Sequence, residues 1–252
     1  MQRTKCWIVA VAVAAMPMLL ETAAAAEIKV LSGTGPRSAV RELVAQFERT
    51  TGHTVVIRFD VNAEVRRKIE ARETFDVTVL NPEVLDELIR QCKVSAASRR
   101  SIGRAGVGVA VRAGARKPDI SSVEAFRRAL LDAKSVAFPH EGASGVYFVS
   151  LLTRLGIADE MKPKLRPMPA SDTAEVVARG EADMVVVVMP RISGVPGIDV
   201  VGPLPPELQT HIGFAAGVSV AASEPEGAQA LVRFLSSSEA APVLRAKGIE
   251  PN

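Results

Sequence analysis

The chain has 252 residues, with 31 Lys and Arg against 28 Asp and Glu, a formal net charge of +3. Hydrophobic residues make up 48% and charged residues 23%, the balance of a globular protein with one large domain or two lobes. Aromatics are only 4%, and no basic cluster lies beside them, which excludes a stacking platform for nucleic acid.

The first 26 residues read as a cleavable secretory leader. Arg3 and Lys5 precede an apolar run from Trp7 to Leu20, and Ala24-Ala25-Ala26 has the small residues of a cleavage site, which makes Glu27 the expected mature start. Pro17 and Glu21 leave that run too short to span a bilayer. Cleavage also removes Cys6. Cys92 then stands alone, so no intramolecular disulfide can form, and it is expected to pack as a small residue at a helix end.

Ile28, Val30 and Leu31 begin a strand that breaks at Ser32-Gly33-Thr34-Gly35-Pro36, and the spacing of Val40, Leu43, Val44 and Phe47 predicts a helix from Ser38. A strand, a tight glycine turn and a helix N-terminus together aim backbone N–H groups and a positive dipole end at a small anion. The pattern recurs along the chain. Val55–Phe59 is a strand, and Asn62 is placed to cap a helix over 64–72; Asp76–Leu80 is a third strand, ended by Asn81-Pro82 before a helix over 83–91. This alternation predicts an α/β protein with mostly parallel sheets flanked by helices.

Residues 95–104 read as a polar surface connection, followed by a glycine-rich strand over 106–111. A helix over 123–132, a strand over 136–138, a turn over 140–144 and a helix from Gly145 to Leu155 come next. Ser171-Asp172 is placed to cap a short helix over 173–179. Met184–Met189 is apolar throughout, as in a strand buried on both faces, and 195–206 is a proline-rich connection. A strand over 213–221 and helices over 225–235 and 239–247 close the chain.

Taken together, LSGTGPRSAVRELVAQFERTTG (31–52), VRRKIEARETFDVTVLN (65–81), GVGVAVRAG (106–114) and FPHEGASGVYFVSLLTRLGI (138–157) resemble one family, as do VVARGEADMVVVV (176–188), VVGPLPPELQ (200–209) and ALVRFLSSSEAAPVLRAKGIEP (230–251). These segments are similar to the substrate-binding proteins of bacterial ABC importers, in the type II group near the molybdate-binding proteins. The resemblance implies a two-lobed type II periplasmic-binding-protein fold with two crossover strands and the ligand between the lobes. Lobe one would comprise 27–104 plus 213–252 and lobe two 105–212, with 106–111 and 215–220 crossing between them. It further implies a periplasmic, monomeric protein that binds a small anion and delivers it to a membrane permease, with no cofactor, no metal, no nucleic acid and no catalysis.

In the molybdate binders, hydroxyls and backbone N–H groups hold the oxyanion. By resemblance the two serine positions fall on Gly35 and Asn62, the lobe-two backbone donor on Ser144, a further donor near Thr173 and the tyrosine on Val188. Three side-chain donors are thus replaced, which turns the expectation from molybdate toward an organic acid. The expected ligand-binding set is Ser32, Gly33, Thr34, Gly35, Arg37, Asn62, Ala63, Ser144, Gly145, Thr173 and Arg191. Arg37 and Arg191 enter because an arginine fork matches a carboxylate. Gly33 and Gly35 serve equally as turn glycines, Asn62 as a cap, and both arginines as solvated surface groups.

The alternative is a secreted hydrolase using Ser144. A nucleophile elbow requires glycine two residues after the serine, where Val146 stands, and His53, His140 and His211 form no metal motif. A transcription regulator's sensing half shares the implied fold but lacks a leader.

Overall fold

A computed structural model describes residues 26–252; the leader expectation falls on residues outside the described part. In chain order, β1 (Glu27–Gly33), α1 (Arg37–Thr51), β2 (Thr54–Asp60), α2 (Asn62–Glu70), β3 (Val77–Leu80) and α3 (Pro82–Arg90) form three strand–helix units. The long β4 (Arg100–Arg112) follows, then α4 (Val123–Asp132), β5 (Val136–Pro139), α5 (Ala143–Arg154), α6 (Ala158–Met161) and β6 (Leu165–Met168). The remainder is α7 (Glu175–Ala178), β7 (Met184–Val188), β8 (Ile198–Pro203), β9 (His211–Val218), α8 (Pro225–Leu235), α9 (Ala241–Ala246) and β10 (Glu250–Pro251).

The strands run in the order β2-β1-β3-β9-β4-β7-β5-β6, and β4 belongs to both halves. Its first part, Arg100 to Gly106, pairs with β9; in its second, Val107 to Val111 pair with β7 on one side, while Gly108 to Arg112 pair with β8 on the other. Strands β1, β2 and β3 are mutually parallel, as are β5, β6 and β7, so each lobe has a parallel unit closed by antiparallel strands. Helix α1 buries Ala39, Val40, Leu43, Val44 and Phe47, the face its apolar spacing predicts. Gly52, at φ 75°, ends it in a left-handed turn whose N–H donates to the Glu48 carbonyl.

Several expectations change. Arg100 to Arg104 are the first part of β4 rather than a surface connection, because their charged side chains occupy the outward positions of a strand. Strand β9 pairs with β3 over Ala215 to Val218 and with the first part of β4 over His211 to Ala216, and it begins just after the Gln209 turn. There the Gln209 carboxamide accepts the Val107 N–H at 2.8 Å and donates to the Val107 carbonyl at 3.0 Å, standing in for a strand neighbour where β4 changes partners. Residues 198–203 form β8, and 165–168 form β6 despite Pro167, at the outer edge of the sheet where a missing N–H costs no ladder bond. Cys92 is exposed at φ 55° just past α3, in a turn that directs it away from the core.

Candidate functional site

The parallel register places Gly33 beside Asp60 and Ser32 beside Val79, so β1, β2 and β3 end along one edge. Chain leaving that edge opens α1, α2 and α3. In the other lobe β5 and β7 end at Pro139 and Val188, and α5 opens at Ala143. The carboxyl ends of parallel strands are where open α/β sheets place ligands. Thr34, Gly35, Asn62 and Asn81 from lobe one meet Glu141, Gly142, Ser144, Val188 and Arg191 from lobe two around an inner cavity of about 40 Å³. Val61, Asn62, Asn81 and Glu141 also line a mouth of about 360 Å³ that adds Ala63, Arg66 and Glu83. Helix starts from both lobes thus converge on one cleft.

Two glycines of the first turn have a steric reason. A Cβ on Gly33 would lie 2.6 Å from Asn62 Oδ1, and one on Gly35 2.8 Å from the Phe214 ring. Asn62 is therefore held against the β1 turn. It does not cap α2, as the sequence predicts, because it is the first helical residue and Val61 occupies the cap. Its amide donates to Asn81 Oδ1, and its own buried Oδ1 has no donor among the described residues.

Arg191 lies on the short turn after β7 and is only 8% exposed, not a solvated surface arginine. Its Nη2 donates to the Ala170 carbonyl at 2.6 Å and the Ser171 carbonyl at 2.9 Å, with Glu175 Oε2 3.9 Å away. Its buried Nε has no acceptor among the described residues. Desolvation pushes this guanidinium below the usual arginine range; Glu175 opposes the shift, and the positive charge of Arg37 adds to it. Arg37 opens α1 with its guanidinium 5.3 Å from the Phe59 ring centroid, and its buried Nε also lacks an acceptor among the described residues. Arg191 lines the inner cavity and is suited to hold an anion, whereas Arg37 is half-buried, lines neither the cavity nor the mouth, and acts on Arg191 through its charge.

Other predicted residues stand behind this surface. Ser32 is buried and donates to the Gly33 carbonyl. Gly145 packs on β5, where a Cβ would lie 1.8 Å from the Pro139 carbonyl oxygen. Thr173 is buried and donates to the Pro169 carbonyl at 3.0 Å; it precedes α7, which starts at Glu175, so the predicted cap at Ser171-Asp172 does not form. Sequence reasoning missed Asn81, Glu141 and Phe214 as lining residues. Asn81 had a signal: it ends the third copy of the strand–turn–helix unit.

No hydrogen bond joins Ser144 to a histidine among the described residues; His53 Nδ1 accepts the Ala26 N–H, and His140 Nε2 lies 3.8 Å from Glu141 Oε2. No group of three His, Cys, Asp or Glu is placed for a metal ion among the described residues. A larger cavity, about 620 Å³, lies between Arg112, Lys117, Arg128, Asp132 and Met184. It borders the amino end of β7 and mixes both charges, so it has neither the helix starts nor the buried arginine of the cleft.

Two α/β lobes sharing one strand, with helix starts from each turned on a common pocket, define a two-lobed cleft protein of the periplasmic-binding class. The chain belongs to the family of bacterial extracellular solute-binding proteins, whose model matches residues 28–250. It is 33% identical over 230 residues to an aconitate isomerase of a Pseudomonas species, covering 89% of this chain and 87% of that protein. It is 24% identical to the molybdate-binding protein ModA of Escherichia coli (strain K12), covering 88% of each. The periplasmic molybdate-binding protein of Azotobacter vinelandii has the same fold, with a TM-score of 0.76 at 20% identity, covering 89% of this chain and 99% of that one. The family is extracytoplasmic, and no helix among the described residues is long and apolar enough to cross a membrane. Since one relative carries an enzyme's name, membership does not by itself exclude catalysis.

Proposed function

We propose that this is an exported, monomeric solute-binding protein that captures a small organic acid in the interlobe cleft and delivers it to a membrane permease. The observation that carries the reading is Arg191, buried at the cavity wall with Nε uncommitted. Gly35, Asn62 and Val188, which by the resemblance stand where the molybdate binders have hydroxyl donors, all line the cavity. An arginine fork suits a planar carboxylate better than it suits a tetrahedral oxyanion. The ligand would meet Thr34, Gly35, Asn62, Ala63 and Ser144 with Arg191, and Arg37 would add charge. Ser32, Gly33, Gly145 and Thr173 would act from behind by fixing the turns.

The inner cavity, about 40 Å³, is close to one water's share of liquid volume, so an organic acid must also use the mouth or part the lobes. Lobes limited to 27–104 plus 213–252 and 105–212 would open about the Val107–Gln209 junction. A ligand that binds the closed form more tightly drives closure by that difference. Thermal-shift and calorimetric screens with di- and tricarboxylates, molybdate and sulfate test this. Carboxylates should raise the melting temperature, with about 2.7 kcal/mol of stabilisation at a hundredfold excess over Kd. Stabilisation by molybdate with every carboxylate inert would overturn the ligand class.

The likeness to an aconitate isomerase favours a second reading, isomerisation of an unsaturated tricarboxylate. Incubating catalytic amounts of protein with trans-aconitate in D2O separates the two. Conversion with deuterium incorporation supports an enzyme; binding without conversion supports a carrier.

A further inference from the structure

Glu141 is the one carboxylate lining the inner cavity among the described residues, and it lines the mouth as well. It sits between β5 and α5 with its side chain 39% exposed. It makes no hydrogen bond to another described residue. An ionised carboxylate only accepts hydrogen bonds, so in a pocket of amide donors and a buried arginine it opposes any fully ionised anion. The charges around it do not cancel this. His140 stands 3.8 Å away on the same loop; across the mouth Arg66 is already paired with Glu87 at 3.0 Å, and Glu83 adds negative charge. Arg191 lies at the inner wall and is shared with the Ala170 and Ser171 carbonyls.

Ligand chemistry decides whether Glu141 obstructs or recognises. Sulfate and molybdate carry no proton at neutral pH and offer Glu141 nothing to accept. A polycarboxylic acid can keep or regain one proton, and two carboxyl groups in contact hold a single proton between them rather than both ionising. On the anion-cleft reading above, we propose that Glu141 determines specificity. It selects organic acids that share a proton with its side chain and rejects fully ionised oxyanions.

The test is calorimetry at pH 7 in two buffers of different ionisation enthalpy, on wild type, Glu141→Gln and His140→Gln. The probes are tricarballylate, trans-aconitate, sulfate and molybdate. Wild type should take up about one proton with a tricarboxylate. Glu141→Gln should lose that uptake and shift the sulfate-to-tricarboxylate affinity ratio toward sulfate, by on the order of tenfold or more. His140→Gln should retain the uptake. Unchanged uptake and unchanged ratios in Glu141→Gln overturn the assignment, as does loss of uptake in His140→Gln alone. If neither wild type nor Glu141→Gln binds any of the four anions, the cleft reading falls, and the role of Glu141 with it.

Discussion

Gly145→Ala tests how the second lobe positions the cleft. A methyl there would lie 1.8 Å from the Pro139 carbonyl oxygen and 2.9 Å from its carbon, whereas ordinary contact begins at 3.4 Å. Both atoms are main chain at the end of β5, so no side chain can swing aside. Helix α5 must retreat by roughly 1.5 Å, which loosens Phe148, Leu151 and Leu152 in the core. Alanine gains up to about 1 kcal/mol in helix propensity, and overpacking against backbone costs about 3 kcal/mol. The net expectation is a loss of about 2 kcal/mol in urea unfolding. Since α5 carries Ser144 to the cavity, affinity for the bound anion should fall about tenfold as well. Gly156→Ala is the comparator: at φ 67° with no atom near its Cβ, it should cost about 1 kcal/mol and leave affinity unchanged. A Gly145→Ala protein with wild-type stability and wild-type affinity would refute the argument.

Asp76, 1% exposed, accepts the N–H groups of Lys29, Ser223 and Glu224, tying β1 to the returning tail. Asp76→Ala should cost about 3 kcal/mol by chemical denaturation, with Asp76→Asn intermediate. Arg191→Lys keeps the charge and loses the fork, so calorimetry should show carboxylate affinity reduced about tenfold or more. Gln209→Leu removes both bonds to Val107 and should raise hydrogen exchange at the Val107 amide, lowering stability by about 1–2 kcal/mol. Unchanged exchange there would mean that the carboxamide does not hold the junction.

The strand–turn–helix grammar of 28–47 was legible because apolar periodicity and glycine turns are local properties, and so were the third strand and the face that α1 buries. The buried run of β7 was legible for the same reason. Edge strands were not: β6 and β8 each contain a proline, and each is defined by pairing with a strand distant in the chain, β6 with β5 and β8 with β4. Asn62 looked like a cap because the residue type favours one. The tertiary contact with Gly33 and Asn81 instead placed it one position inside the helix. Arg191 looked like a surface residue, and only the carbonyls of Ala170 and Ser171, brought in from another loop, explain its burial.

By itself, then, the sequence determined the units: an α/β chain of repeated turns, each with amide donors at a helix start. Tertiary structure decided which of those starts face one another, that β4 serves both lobes, and that Glu141 shares a cavity wall with Arg191. The physical reason is range. Propensity and periodicity act within a turn or two, whereas the electrostatics of a cleft are set by residues that only strand pairing brings together.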